Sequence, residues 1–280
     1  MFFLLIIKTI EGGKYIMKNI GIIGAGNMGM AIIQGLLQKG WKEKISFIDL
    51  SKQRCQWVYE QTGVVNKGSI EELISEAEII VLAIKPQFYQ ETVQQLKYIY
   101  RESQILVSIA PGISIASIQQ WIDEPIRIVR AMPNTPAVIG EGMSVLCFSE
   151  GYYTEEDRKA IHLLFESLGQ VAYLEEYLMD AVVPISGSAP AYVYMMIEAM
   201  GDAGVLQGIP RELAYRLAAQ ALLGSARMVL ETQVHPGALK DQVCSPGGTT
   251  IEAVRILEKK GFRSAIIEAM EGCYQKTKEF

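Results

Sequence analysis

Apolar positions in the first two-thirds of the chain fall into short continuous blocks, and the stretches between them carry apolar residues at helical spacing. Ile20-Gly21-Ile22-Ile23 is the first block. Behind it Met28, Ile32, Ile33, Leu36 and Leu37 repeat with a helical period, and Gly40 closes that helix. Ile45-Ser46-Phe47-Ile48 reads as a second strand, and a third short one is expected near Val64-Val65. Glu78-Ile79-Ile80-Val81-Leu82-Ala83-Ile84 is almost unbroken apolar chain, the pattern of a parallel strand buried on both faces. It stops at Lys85-Pro86, since proline cannot donate to a ladder. Ile105 to Ala110 is a similar run stopped by Pro111-Gly112, and Ile126 to Arg130 another, followed by Met132-Pro133-Asn134-Thr135-Pro136. Strands at 143–149 and 170–174 flank a helix at roughly 154–168. Strands alternating with helices predict an α/β fold with a doubly wound parallel sheet.

The pattern changes near Asp180, and no strand is expected beyond it. Ala191 to Met200 is apolar around most of a helix. Leu213, Leu217, Ala221, Leu222 and Ser225 mark a second helix with a small-residue face, and Phe262, Ile266, Ala269, Met270 and Cys273 a last one. The chain thus divides into an α/β domain at 17–178 and an all-α domain at 179–280. Helices this apolar need a partner chain to cover them, so the second domain is expected to mediate dimerisation.

Residues 1–16 are expected to stand outside the fold, because a first strand normally starts close to its chain's beginning and Met17-Lys18-Asn19-Ile20 looks like such a start. The seven apolar residues Met1 to Ile7 are too few to cross a bilayer, which needs ~20. They also lack the basic lead and small-residue cleavage site of a signal peptide.

Composition narrows the function. Over 280 residues the net charge is −5, with acids and bases interspersed and no basic patch for a nucleic acid. No membrane partner is expected. Cys55, Cys147, Cys244 and Cys273 show neither CxxC nor ligand spacing, and the only histidines are His162 and His235. A metal site is therefore not expected, and a reducing cytoplasm fits.

The most informative stretch is Gly24-Ala25-Gly26-Asn27-Met28-Gly29, a GxGxxG set between a strand and a helix. Gly24 permits the tight turn, Gly26 lets a pyrophosphate approach backbone, and Gly29 lets helix pack on strand. The free N–H groups and positive end of the helix face the phosphates. Asp49 follows at the tip of the second strand, where a carboxylate holds ribose hydroxyls. This is the signature of a Rossmann-type domain carrying NADPH or NADH. Ligands of such sheets lie at the carboxyl ends of the strands, which adds Ala83, Lys85, Pro86 and Ala110 as cofactor contacts. Asn134 is an even candidate.

A second constellation is Cys244-Ser245-Pro246-Gly247-Gly248-Thr249-Thr250, opening a helix that runs to about Leu257. Its glycines and helix start offer amides to an anion too small to be a nucleotide, such as a substrate carboxylate. The plainer alternative is a helix cap made by Thr249 or Thr250. Ser186-Gly187-Ser188-Ala189-Pro190-Ala191 opens another helix and divides evenly between a cap and a contact. No lysine occurs between Lys159 and Lys240. His162 is placed on a solvated helix face and His235 in a turn. With no clear acid or base to serve an alcohol, an imine is the more fitting hydride acceptor.

Together these segments resemble the pyrroline-5-carboxylate reductase family, from Lys18 to about Lys278. The resemblance is carried by Ile23 to Gly29, Ala83 to Pro86, Arg130 to Pro136, Ser186 to Tyr192, and His235-Pro236-Gly237 through Ser245 to Ile251 and Gly261-Phe262-Arg263. The last block is the specific one. It implies NADPH- or NADH-dependent reduction of 1-pyrroline-5-carboxylate to L-proline. It also implies a Rossmann domain followed by a helical domain that interleaves with a second subunit, in a homodimer that can assemble into a decamer. Ser245, Gly247, Gly248, Thr249 and Thr250 would hold the substrate, with Thr250 on the ring nitrogen as the catalytic candidate.

The chain departs from the family at Ala189 and Pro111, and near Ser69-Ile70 no cofactor asparagine has a match. Asp49-Leu50-Ser51-Lys52 offers both an acid and a serine–lysine pair to the adenosine ribose, so it leaves the choice between NADPH and NADH open. The rival readings are a related reductase for another imino or hydroxy acid, and a non-catalytic dinucleotide sensor.

Overall fold

The computed structural model describes residues 17–279, and the expectation for residues 1–16 lies outside them. The chain forms two compact units that divide after Met179.

The first unit runs β1 (Ile20–Ile23), α1 (Asn27–Gln38), β2 (Ile45–Ile48), α2 (Lys52–Thr62), α3 (Ile70–Glu76), β3 (Ile79–Leu82), α4 (Tyr89–Leu96) and β4 (Ile105–Ser108). It continues with α5 (Ile115–Ile122), β5 (Ile128–Met132), β6 (Gly142–Phe148), α6 (Glu155–Glu166) and β7 (Gly169–Tyr173). One sheet has the order β2-β1-β3-β4-β5-β6-β7. Pairing is parallel from β2 to β5. β6 then runs antiparallel to β5, and β7 is parallel to β6. β1, β3 and β4 are buried along their whole length, which is why their sequences do not alternate. The strand order reverses between β1 and β3, the position at which such sheets open a cleft.

Hydroxyl caps start most of the helices around this sheet. Ser51, Ser69, Ser114 and Thr154 each accept an N–H from the third residue of α2, α3, α5 and α6. Asp157 completes a capping box with Thr154 and takes Lys18 at 2.7 Å and Arg127 at 2.8 Å. Burial raises the pKa of this carboxyl, but hydrogen bonds from Lys18 and Thr154 outweigh burial and set it below its ordinary value.

The strand expected near Val64-Val65 does not form. Gly63 ends α2 in the left-handed region and Ser69 caps α3, so little chain is left to pair. Val64 is buried while Val65 stands exposed, and only Asn66 makes one parallel bridge, to Phe47.

In the second unit α7 (Met179–Val182) passes through a π-helical turn at Val183–Gly187 into α8 (Ala189–Leu206). There follow α9 (Arg211–Thr232), α10 (Pro236–Val243), α11 (Thr249–Lys259) and α12 (Phe262–Thr277). α8 and α9 pair closely because small residues meet at the seam. A Cβ on Gly201 would sit 2.4 Å from the Tyr215 ring, and one on Gly204 3.0 Å from Ala214 Cβ. Ala214 and Ala218 are the buried residues of α9, whereas Leu213 and Leu217 are about half exposed. Leu213 and Leu217 therefore stand away from the seam with α8.

Tyr89 ties the functional edge of the sheet. Fully buried at the start of α4, its hydroxyl donates to Leu82 O at 2.7 Å and accepts Ile109 N–H at 3.2 Å, joining the ends of β3 and β4. Burial pushes its pKa up to about 12, so it stays a neutral donor. Tyr89→Phe keeps the shape and orphans both backbone groups. We expect a loss of roughly 1–3 kcal/mol in denaturant unfolding with the fold retained; an unchanged midpoint would show that the bridge carries no load.

Candidate functional site

The parallel register aligns Ile23 with Ile48 and Leu82, and Leu82 with Ser108. The turns after β1, β2, β3 and β4 thus leave from one edge of the sheet. Gly24, Gly26, Asn27, Met28 and Gly29 lie there, with Asp49, Ser51 and Lys52, then Ala83, Lys85 and Pro86, and finally Ala110. Lys85 is exposed and begins a 3-10 turn at Pro86–Phe88, while Ala110 is buried just past β4.

The three glycines of the turn have different reasons to be glycine. Gly24 has φ +95°, and a Cβ there would lie 2.6 Å from Ala83 O. A Cβ on Gly29 would lie 2.2 Å from Gly24 O. Gly26 has an ordinary φ of −63° and open space where its Cβ would be. Nothing in the protein requires glycine at Gly26, and the space fits a phosphate lying against backbone. Gly26 is also the N-cap of α1 and gives it no side-chain cap. The first amides of that helix therefore face a position suited to an anion.

Asp49 does more than sit at the tip of β2. Its Oδ2 accepts the Ala25 N–H at 2.8 Å and its Oδ1 the Ser51 N–H at 2.9 Å, so both oxygens are engaged by backbone. Sequence reasoning missed Arg54. Its Nε donates to Ala25 O and its Nη2 to Gly26 O, the latter at 3.2 Å. The available signal was a cation in the first turn of the helix that follows the acidic tip. Ser51 Oγ accepts the Arg54 N–H, and Lys52 is exposed.

In the second unit, Ser245, Pro246, Gly247 and Gly248 turn from α10 into α11. Gly247 has φ +68° and Gly248 N donates to Ser245 O at 3.0 Å. The positive φ makes Gly247 a glycine position, whereas a Cβ on Gly248 would meet Ser245 Oγ at 2.3 Å and make that hydroxyl turn away. The N-cap of α11 is Gly248, with no side-chain cap. Thr249 and Thr250 are the first two residues of the helix, and neither is its cap. The loop is thus a second bare helix start behind glycines.

Other candidates are taken up structurally. Asn134 Oδ1 accepts the Met143 N–H at 2.8 Å. His235 caps α10 by accepting the Gly237 N–H at 3.1 Å. His162 is not on a solvated face: it is half-buried, 2.8 Å from the Tyr173 hydroxyl and stacked on that ring. A tyrosine eleven residues away in sequence gives no helical signal of this contact. Ser188 Oγ lies 3.3 Å from Cys273 Sγ. Among the described residues no cluster of His, Cys, Asp or Glu is placed to hold a metal, and no helix is long and apolar enough to cross a membrane.

Residues 176–280 match the family described as pyrroline-5-carboxylate reductase dimerisation, and residues 19–112 that of NADP oxidoreductase, coenzyme F420-dependent. The pyrroline-5-carboxylate reductase of Escherichia coli is 44% identical over 264 residues, covering 94% of this chain and 98% of its own. That of Arabidopsis thaliana is 40% identical over 262 residues, covering 93% and 94%. The crystal structure of Plasmodium falciparum pyrroline carboxylate reductase with NADP bound superposes with a TM-score of 0.85 at 34% identity, covering 94% of this chain and 97% of that one.

Gly26→Val separates binding from folding. A Cβ there meets no protein atom within 4 Å and needs no unusual φ, and a valine side chain would fill the space beside the turn. We expect a melting temperature close to wild type and loss of dinucleotide binding by calorimetric titration. Unchanged affinity would remove Gly26 from the site.

Proposed function

The chain belongs to the pyrroline-5-carboxylate reductase family, and we propose that it reduces 1-pyrroline-5-carboxylate to L-proline with NADPH or NADH. The observation that carries the reading is the Ser245–Thr250 loop: an anion-sized set of amides at a bare helix start, with no histidine or lysine among its residues. Such a loop suits a small carboxylate whose neighbouring group needs little acid–base help.

Gly24, Gly26, Asn27, Met28 and Gly29 would receive the dinucleotide's pyrophosphate. Asp49, Ser51 and Lys52 would lie along the adenosine ribose, and Ala83, Lys85, Pro86 and Ala110 along the rest of the cofactor. The open space at Gly26 and the uncapped α1 fit the group. The bound dinucleotide supplies a hydride for the imine carbon. Ser245, Gly247, Gly248 and Thr249 would fix the carboxylate, Gly248 by closing the turn onto Ser245 O and the others through loop and helix-start groups, orienting the ring. Thr250 would hydrogen-bond the ring nitrogen, which is protonated from solution near neutral pH. The residues contribute by placement and by excluding disordered water around the imine. A hydroxy acid would require a base on its alcohol oxygen, and the loop offers none.

The helical unit would form a homodimer, with a decamer as the higher assembly. Val193, Met195, Leu223, Met228, Leu230 and Ile267 leave large apolar area uncovered on one chain. All four cysteines are free, consistent with a reducing cytoplasm.

Purified protein is expected to oxidise NADPH or NADH only when 1-pyrroline-5-carboxylate is added; turnover with a 2-hydroxy acid and none with the imine would reverse the reading. Thr250→Ala should lower kcat/KM by ten- to hundredfold, the loss of one hydrogen bond of roughly 1–3 kcal/mol, and leave cofactor Kd unchanged. Wild-type kinetics in that variant would take Thr250 out of the site. Light scattering should report a dimer or larger at micromolar concentration, and a stable monomer would contradict the assembly.

A further inference from the structure

We infer that Arg54, working with Asp49, is a positioning residue that presets the glycine turn for the pyrophosphate shared by NADH and NADPH. The inference rests on the turn being the cofactor's place. Nothing inside the turn fixes its peptide planes, since Gly24 and Gly26 have no side chain and Ala25 only a methyl group. Two side chains from the β2–α2 segment do so from outside. Asp49 draws the Ala25 N–H to one side at 2.8 Å. Arg54 takes the Ala25 and Gly26 carbonyl oxygens with Nε and Nη2 of one planar group. Gly26 O also accepts Met30 N–H at 2.9 Å, so the helix and Arg54 share this oxygen between them.

The charges make the arrangement functional. A carbonyl oxygen is the negative end of a dipole and repels a phosphate nearby. Arg54 engages two of them at the turn and adds a delocalised cation beside the positive end of α1. Its guanidinium carbon lies 4.2 Å from the centroid of the Trp57 ring, which limits its freedom before any ligand arrives. Asp49 is tied to Ser51 N–H as well as to Ala25 N–H, so the acid is itself held in place. Both residues thus act on the turn that the two dinucleotides have in common. For Arg54 the contacts are to the turn's carbonyl oxygens, so its effect should be the same for either dinucleotide.

The test uses full-length wild-type protein, Arg54→Ala and Arg54→Lys, with NADH and NADPH titrated separately by calorimetry and each variant melted without ligand. Arg54→Ala should raise both Kd values by a similar factor of about tenfold or more, the scale of a hydrogen bond to a charged group. Its kcat at saturating cofactor should stay near wild type. Arg54→Lys should recover only part of the affinity, because one ammonium cannot hold both carbonyls in a plane. Weakened NADPH with unchanged NADH would make Arg54 a ligand of the 2′-phosphate and overturn the inference. So would unchanged Kd values, with or without a lower melting temperature. Wild-type protein that binds neither dinucleotide would refute the cofactor reading of the turn, and the inference with it.

Discussion

The close approach of the first turn to the end of β3 governs the rest of the nucleotide unit. β1 and β3 are neighbours at the point where strand order reverses, so the chain leaving β1 must turn within a few residues of Ala83. A side chain at Gly24 would collide with the Ala83 carbonyl, and one at Gly29 with Gly24 itself. With both positions bare, α1 starts directly above the sheet edge and its free amides face outward. Tyr89 fixes the second half of that edge by joining the ends of β3 and β4. The aligned ends of four parallel strands then present their turns together, without any one loop having to be long.

The two proposed anion positions use one device in different settings. Each places glycines before a helix whose first residues lack a side-chain cap: Gly26 before α1, Gly248 before α11. In the first unit the device grows out of a strand, and in the second it follows the short helix α10. The helices α2, α3, α5 and α6 carry hydroxyl caps, which satisfy the same amides internally. Helices α4, α8, α9 and α12 also start without a side-chain cap, so what sets α1 and α11 apart is the pair of glycines that precedes each bare start. The reaction proposed here needs little more than that from the protein, since its acceptor brings its own charge.

The sheet was legible because β1, β3 and β4 are buried on both faces and so carry unbroken apolar sequence. Both glycine turns were legible for a related reason: glycine has few uses, and each use is positional. What escaped depended on partners distant in sequence. Val64 and Val65 have the composition of a strand but lie between a helix end and a helix cap. The seam of α9 with α8 runs through Ala214 and Ala218, where small size permits contact, and alanines at that spacing give no distinct signal. Arg54 reads as an ordinary surface cation until its reach back to Ala25 and Gly26 is seen. The antiparallel β6 was equally hidden, because burial leaves the same apolar pattern in either direction.

The open space at Gly26 has a consequence for inheritance. Cells remove chains that misfold, and many harmful substitutions are met first by that clearance. A side chain at Gly26 starts into open space at its Cβ and needs no unusual φ, so the altered chain would escape clearance and accumulate near normal levels. Its helical unit would be untouched and, if the chain dimerises as proposed, would still associate with unaltered copies. In a cell making both kinds of chain, dead subunits would enter mixed assemblies with sound ones. Substitutions at Gly24 or Gly29 would instead mark the chain for removal and leave the sound copies to assemble among themselves. Glycines of one turn thus predict different patterns of dominance.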